Sequence, residues 1–187
     1  MGRFMNHKKW VVALALIATA LILTHLPVSE ADAAASASDF QIEGSTLTKY
    51  RGSDERVTIP DTVEVVGESA FENNQKVQFV VVPKSVKRLD AYVFWGCNNL
   101  EEVVLGKGLT SVDEYAFSGC TGLKQITIPE NVQSIDAQAF AGCTNLTDIY
   151  IPDTVTSIAD DAFLNCDNVT IHADEGSVAA KFAQKLA

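Results

Sequence analysis

Residues 123–143 read LKQITIPENVQSIDAQAFAGC, and residues 146–166 repeat almost the same frame as LTDIYIPDTVTSIADDAFLNC. The two segments are offset by 23 residues, and one column of phenylalanines carries this offset through the chain: Phe71, Phe94, Phe117, Phe140 and Phe163. A fixed period of this length indicates a repeat protein in which each unit packs mainly on its neighbours. The sequence therefore predicts a solenoid.

Each unit opens with a short run of β-branched residues that ends at a proline slot, as in Ile126-Thr127-Ile128-Pro129. Alternation with period two, closed by a residue that cannot donate to a ladder, predicts a strand of about four to five residues. Strands at the same phase of successive units predict one parallel sheet. Further apolar columns follow each strand and predict a continuous interior strip, with the phenylalanines inside it.

The ends of the repeat differ from its period and predict caps. Residues 39–55 predict an N-terminal β cap, residues 56–171 about five repeat units, and residues 172–187 a C-terminal helical cap. Within the last cap, Ser177 is a plausible N-cap, and Val178, Phe182 and Leu186 fall on one helical face. The predicted architecture is thus a parallel sheet closed by a β cap and a short helix.

The N-terminus predicts export. Three basic residues precede an almost wholly apolar run from Trp10 to Leu26, and Ala31-Asp32-Ala33 follows as a small-residue cleavage site. This order is typical of a secretory signal peptide, so we expect cleavage after Ala33, a linker over residues 34–38 and a secreted or cell-surface product. An uncleaved membrane anchor is the alternative, although the apolar run is slightly short for a span.

The charge of the chain excludes one class of partner. The net charge is −10, and removal of residues 1–33 takes away three basic and two acidic side chains, which leaves −11. An acidic surface repels phosphate backbones, so we expect no nucleic-acid partner. Contact with a membrane is expected only through an uncleaved N-terminal segment.

Four cysteines also recur at the 23-residue interval: Cys97, Cys120, Cys143 and Cys166. Equal spacing places them in a column along the stack, unlike the paired spacing of zinc sites. A column of buried free thiols is the main interpretation. One or two disulfides stay open as an alternative, because neighbouring coils lie near the limit of disulfide geometry and export permits oxidation.

No set of residues in the sequence predicts catalysis, a metal site or a cofactor. The carboxylate pairs, such as Glu101-Glu102 and Asp160-Asp161, belong to different units and do not suggest a shared cleft. His172 is the only histidine after the signal peptide, so no Ser/Cys-His-Asp set can be assembled. We therefore expect a protein that is not an enzyme.

The outward positions of the strands are the candidate binding residues, because repeat proteins commonly bind through a shared sheet face. Aromatic or apolar side chains stand there beside acidic ones, a mixture that can mark an interaction site. The alternative is that β-branched residues simply suit a strand and that Phe79 packs under the N-terminal cap. The candidate residues are Phe79, Val81, Glu102, Val104, Gln125, Thr127, Asp148 and Tyr150.

The columns of the repeat resemble those of the BspA-like class of leucine-rich repeats, and the resemblance covers about residues 39–187. It implies an exported, surface-exposed protein, and some members of that class are adhesins that bind host or bacterial proteins. We accordingly expect a binding module for a protein or a surface glycan. A self-associating surface scaffold is the alternative, and an exported hydrolase is a weaker one. The chain departs from the pattern at Asn74, Phe79, Trp95 and Gly106, which leaves the predicted fold intact and makes these positions candidates for function.

Overall fold

A computed structural model describes residues 35–186 of the chain. A short 3-10 helix, Ala37–Asp39, precedes thirteen strands and one α-helix. The predicted signal peptide, residues 1–33, lies outside the described residues. Within them, no helix has the length and apolar character needed to cross a membrane. The strands are β1 Phe40–Glu43, β2 Thr46–Tyr50, β3 Arg56–Thr58, β4 Val65–Val66, β5 Phe79–Val81, β6 Arg88–Leu89, β7 Glu102–Val104, β8 Ser111–Val112, β9 Gln125–Thr127, β10 Ser134–Ile135, β11 Asp148–Tyr150, β12 Ser157–Ile158 and β13 Thr170–His172, and the helix is α1 Val178–Leu186.

The strands that precede the proline slot are parallel and in register, which confirms the predicted solenoid. Each buries its central residue and turns the two flanking residues outward, as the alternation indicated. The strands have three residues rather than four to five. The prediction of one continuous parallel sheet was wrong. The ladder of hydrogen bonds is interrupted between β7 and β9, so these strands form two three-stranded sheets, β3-β5-β7 and β9-β11-β13.

A second sheet lies on the other side of each coil. Its order is β1-β2-β4-β6-β8-β10-β12, and from β4 onward each strand has only two residues. The sequence identified the buried member of each pair, such as Leu89 or Val112, as core but predicted no strand there. Two residues are too few to display alternation, so only the stacking of coils reveals this sheet.

The N-terminal cap is an antiparallel hairpin of β1 and β2, the form that the sequence allowed for this segment. Strand β2 then pairs in parallel with β4, with Leu47 opposite Val66. The ring of Tyr50 lies 5.1 Å from that of Phe40 and 5.0 Å from that of Phe71. The cap therefore supplies both a strand and an aromatic ring to the stack, although its residue spacing differs from the repeat.

The repeated phenylalanines form the predicted interior column. Neighbouring rings from Phe94 to Phe163 are stacked with centroids 5.3 Å apart. The rings from Phe71 to Phe140 are almost fully buried. At the C-terminal end Phe182 of α1 lies 5.9 Å from Phe163 and closes the column. One aromatic stack thus joins both caps through the repeat.

The cysteines form a second interior column beside the rings, and all four are buried free thiols. Each thiol donates to the carbonyl oxygen of the phenylalanine in the preceding coil, for example Cys120 Sγ to Phe94 O at 3.1 Å. In the first cysteine slot, Asn74 has no such neighbour, and its Oδ1 accepts from the amides of Lys76 and Val77 instead. The asparagine is therefore an end effect of the stack.

Helix α1 packs against the last coil and begins at the predicted cap, because Ser177 Oγ accepts from Ala180 N at 3.1 Å. The buried side of the helix consists of Ala179, Ala180, Phe182 and Ala183. Val178 is only half buried. The buried face of the helix is therefore rotated from the predicted face of Val178, Phe182 and Leu186. The small alanines allow the helix to approach the sheet end closely.

Gly106 occupies the slot where the other units have proline because no side chain fits there. A Cβ at Gly106 would lie 2.4 Å from the carbonyl oxygen of Pro83 in the preceding coil. This close approach stands next to the interrupted ladder between β7 and β9. The departure thus makes room for the backbone of the preceding coil, where a Cβ would not fit.

Restoring the repeat proline at this slot should destabilise the protein. In Gly106→Pro the ring atoms would collide with the backbone of Pro83, so we expect the free energy of unfolding to fall by more than about 1 kcal/mol. Gly106→Ala should act in the same direction because the Cβ alone collides. Urea denaturation checks both variants, and a rise in stability for Gly106→Pro would contradict the close approach.

The thiol column predicts a reactivity pattern. Burial raises the pKa of Cys97 to about 12 and that of Cys120 well above its usual value, so almost no thiolate forms near neutral pH. We expect no reaction of the folded chain with Ellman's reagent at pH 8 and four thiols per chain after denaturation without reductant, as the four free cysteines require. A titre below four would contradict the free-thiol column and support disulfides.

Candidate functional site

The candidate site is the outer surface of the two three-stranded sheets, which we call the sheet face. All eight residues that the sequence proposed lie on it, at the outward positions of β5, β7, β9 and β11. Strands in register place equivalent residues side by side, so the face is a grid of short columns. The side chains of this grid are positioned by backbone ladders, which makes the face rigid.

The N-terminal end of the sheet face is occupied by an internal contact. The guanidinium carbon of Arg56 lies 5.1 Å from the ring centroid of Phe79, in a cation–π arrangement. Phe79 is half buried. The ring of Phe79 is therefore covered in part by the side chain of Arg56 from the neighbouring strand. Less of its surface is available to a partner than the sequence indicated.

The C-terminal end of the sheet face is also engaged. The ring of Tyr150 stacks on that of His172 with centroids 4.4 Å apart, and His172 Nε2 lies 2.7 Å from Asp148 Oδ1. Burial raises the pKa of Asp148, but hydrogen bonds from His172 and Thr147 outweigh it and the net shift is downward. The Asp148 carboxylate thus stays ionised and fixes the imidazole against Tyr150.

The middle of the sheet face is the part that remains open. Val104 is 41% exposed, and Gln125 and Thr127 on the next strand are exposed as well. These residues flank the interrupted ladder between β7 and β9. An exposed valine on a rigid sheet, with polar neighbours on the adjacent strand, forms a small apolar centre with a polar rim.

The described residues offer no catalytic arrangement at this face. His172 is held by Asp148 through Nε2, and its buried Nδ1 has no hydrogen-bond partner among residues 35–186. In the same range, no three side chains of His, Cys, Asp or Glu are grouped so that they could hold a metal ion. The face can bind by shape and charge, and nothing in it supplies a nucleophile with its base.

Sequence reasoning missed an aromatic cluster on the turns that follow the two-residue strands. The rings of Tyr92 and Tyr115 are stacked 4.8 Å apart, and the exposed Trp95 meets Tyr92 edge-on at 6.5 Å. Both tyrosines have positive φ, 61° and 57°, which is uncommon for large side chains. Their 23-residue spacing was the available signal, but alternation does not extend into turns and gave no reason to place them outside.

The repeat region matches a known family. The family model described as "BspA type Leucine rich repeat region" fits residues 45–170 in six copies. The matched range includes strand β2 of the N-terminal hairpin, and the family model counts six repeats where the sequence columns gave about five. No curated protein of known function is significantly similar to the chain.

Several solved structures share the fold. A leucine rich cell surface protein from Faecalibacterium prausnitzii is 33% identical with a TM-score of 0.69, over 74% of this chain and 37% of that one. A leucine rich repeat protein of T. pallidum is 28% identical with a TM-score of 0.70, over 72% of this chain and 68% of that one. The pneumococcal vaccine antigen PcpA, at 19% identity and a TM-score of 0.62, shares the fold over 73% of this chain and 35% of its own length. The chain thus spans little more than a third of the first relative.

The internal contacts at the two ends of the sheet face predict unequal effects of truncation on stability. Phe79→Ala removes the cation–π contact and Tyr150→Ala removes the stack on His172, so each should lower the free energy of unfolding by about 1 kcal/mol. Val104→Ala removes an exposed side chain and should stay within about 0.5 kcal/mol of the parent. Urea denaturation measures the three values, and equal values would contradict the covered ends.

Proposed function

The chain belongs to the family of proteins with BspA type leucine rich repeat regions, and from that premise we propose that it is a secreted or surface-exposed binding module. It attaches to a partner protein through the open middle of its sheet face. Repeat proteins of this architecture act as binding scaffolds rather than as enzymes, because stacked coils present a large rigid surface without a deep pocket. In this proposal, binding of the partner protein serves adhesion of this protein to another surface.

One observation carries the proposal: Val104 is a large apolar residue that is 41% exposed on β7, the last strand of the sheet β3-β5-β7, in the middle of the sheet face. Its strand is fixed on one side by β5, so its position costs little conformational entropy when a partner binds. Val81 on the paired strand adds a second apolar side chain, and the exposed Gln125 and Thr127 on β9 are polar, which is the composition of a protein-binding surface with a small core. Burial of this valine by a partner would supply the central contact.

The charges around the sheet face indicate the chemistry of the partner. Glu102 and Asp148 carry carboxylates on either side of the open middle, and the chain after residue 33 has a net charge of −11. Charge complementarity favours a partner whose contact surface has basic side chains around an apolar patch. Association should therefore be faster at low salt.

The proposed location rests on two observations. The N-terminal sequence has the order of a signal peptide, and one of the similar structures is a leucine rich cell surface protein. Both support a surface or extracellular location. Partners would then be exposed proteins of the same cell, of another cell or of a host.

Site-specific photo-crosslinking tests the proposal. A photo-reactive phenylalanine at position 104 should crosslink to one dominant protein in the native surroundings of the chain, and the identified partner then allows affinity to be measured. Val104→Lys should weaken that affinity at least tenfold, because an ammonium would replace the apolar centre and face the basic rim of the partner.

Leu164 provides the matched control, because it is also an exposed apolar residue, at 48%, but lies on a turn away from the sheet face. Leu164→Lys carries the same change of charge and should leave the affinity within twofold of the parent. Equal crosslinking from positions 104 and 164, or an unchanged affinity in Val104→Lys, would reject the sheet face. Crosslinks only between copies of the chain would favour the self-associating scaffold.

A further inference from the structure

A second surface of the molecule is an open groove of about 780 Å³ on the turns that follow the proline slots. Lys84, Lys87 and Lys107 line it, together with Ser85 and Thr110. The groove shares no residue with the eight positions proposed on the sheet face. Its side chains are basic and polar, unlike the apolar centre of the sheet face.

The three lysines make the groove a positive site on an acidic protein. Among residues 35–186, no carboxylate lies within ion-pair distance of their ammonium groups. The only carboxylate among the lining residues is that of Asp61. The chain after residue 33 has a net charge of −11, so three unpaired cations on adjacent turns stand out from the rest of the surface and would concentrate small anions.

A buried hydroxyl gives the groove an unused hydrogen-bonding group. Ser85 Oγ is inaccessible to solvent and has no hydrogen-bond partner among the described residues. A buried polar atom without a partner destabilises the free protein, and such atoms are rare in folded chains. Ser85 lines the groove between Lys84 and Lys87. Because its Oγ is covered in the free protein, the hydroxyl meets a ligand held by the lysines only when the side chain rotates toward the groove on binding.

The remaining lining residues select the class of anion. Asn131 Nδ2 donates to Lys107 O at 2.6 Å, which fixes its amide and leaves Oδ1 to accept from a ligand hydroxyl. Gln133 adds an exposed amide. No aromatic or aliphatic side chain lines the groove. A peptide would lack the apolar anchor that usually dominates peptide binding, whereas a sugar uses this combination of amides, hydroxyls and charges.

We propose that this groove binds an anionic glycan. Lys84, Lys87 and Lys107 hold its sulfate or carboxylate groups. Ser85 and Asn131 bind its hydroxyl groups. A single-stranded nucleic acid would lack the aromatic side chains on which its bases usually stack, because none lines the groove. The inference goes beyond the protein contact at the sheet face, and either site can fail in its test without the other.

Calorimetric titration of the full chain with three tetrasaccharides tests the proposal: a sulfated one, one that carries only uronic-acid carboxylates, and a neutral one. At least one anionic probe should bind, the neutral probe at least tenfold more weakly, and binding should weaken between about 50 and 300 mM salt. Binding of only the sulfated or only the carboxylated probe identifies the anion and supports the site.

Lysine variants locate the binding. Lys84→Gln with Lys107→Gln should lower the affinity for the anionic probe by about tenfold or more, because two charge contacts are lost. Lys76→Gln with Lys181→Gln is the matched control: both side chains are exposed and outside the groove, and the net charge changes equally. The control should stay within twofold of the parent. Equal losses in both pairs would show a general charge effect and overturn the site.

Ser85→Ala separates binding from folding. Removal of an unpaired buried hydroxyl should leave the melting temperature unchanged or raise it by a few degrees, while the affinity for the anionic probe falls about fivefold. Full affinity in this variant would overturn the assignment. So would equal binding of the neutral probe, tighter binding of an acidic peptide of the same charge, or no binding of either anionic probe at millimolar concentration.

Discussion

Each coil of the solenoid is held to the next by one phenylalanine. Its ring stacks on the ring of the neighbouring coil at about 5.3 Å, and its carbonyl oxygen accepts a hydrogen bond from the thiol of the following coil. A ring stack contributes about 0.5–1.5 kcal/mol beyond area burial. The same carbonyl oxygen also accepts from the backbone amide of the cysteine in its own coil, so the thiol supplies a second hydrogen bond. Both interactions require the coils to be in register. A slip by one residue would break the aromatic and thiol columns together, so the interior specifies a single alignment.

Register in the interior fixes the exterior as well. Once Phe94, Phe117 and Phe140 are aligned, residues at every other phase of the repeat must also stand in columns, one coil apart. Like charges in one column would repel, and apolar residues in one column would form an exposed stripe. The surface is therefore determined by how neighbouring units differ, and the interior by how they agree. Function has to be sought in the differences.

The sequence predicted the parts of the structure that depend on periodicity. The solenoid, the buried columns and the capped helix follow from alternation and spacing, and the structure confirms them. The β cap was predicted from its departure from the period, and the structure shows it to be a hairpin. The two-residue strands were not predicted, because a strand of two residues is too short to show an alternating pattern. The contacts that cover the two ends of the sheet face were not predicted either. Arg56 with Phe79 and His172 with Tyr150 join different units, and the periodicity of a sequence does not show how such side chains are oriented. Lys84 and Lys107 share one column of the repeat, but Lys87 stands at another phase and Asn131 in a further unit, so the groove is recognised only when the coils are stacked.

The departures from the repeat have different physical origins, and one of them connects the two candidate sites. Asn74 compensates for the missing coil at the N-terminal end of the stack. Gly106, in contrast, lies in mid-stack and brings its coil so close to Pro83 that no Cβ fits. Val104 precedes this glycine on the sheet face, and Lys107 follows it in the groove. The irregular coil thus carries the exposed apolar centre on one side and a cation on the other. A proline at this slot could not make the same approach, so the glycine is required both for the packing of this coil on its predecessor and for the positions of Val104 and Lys107 on either side of it.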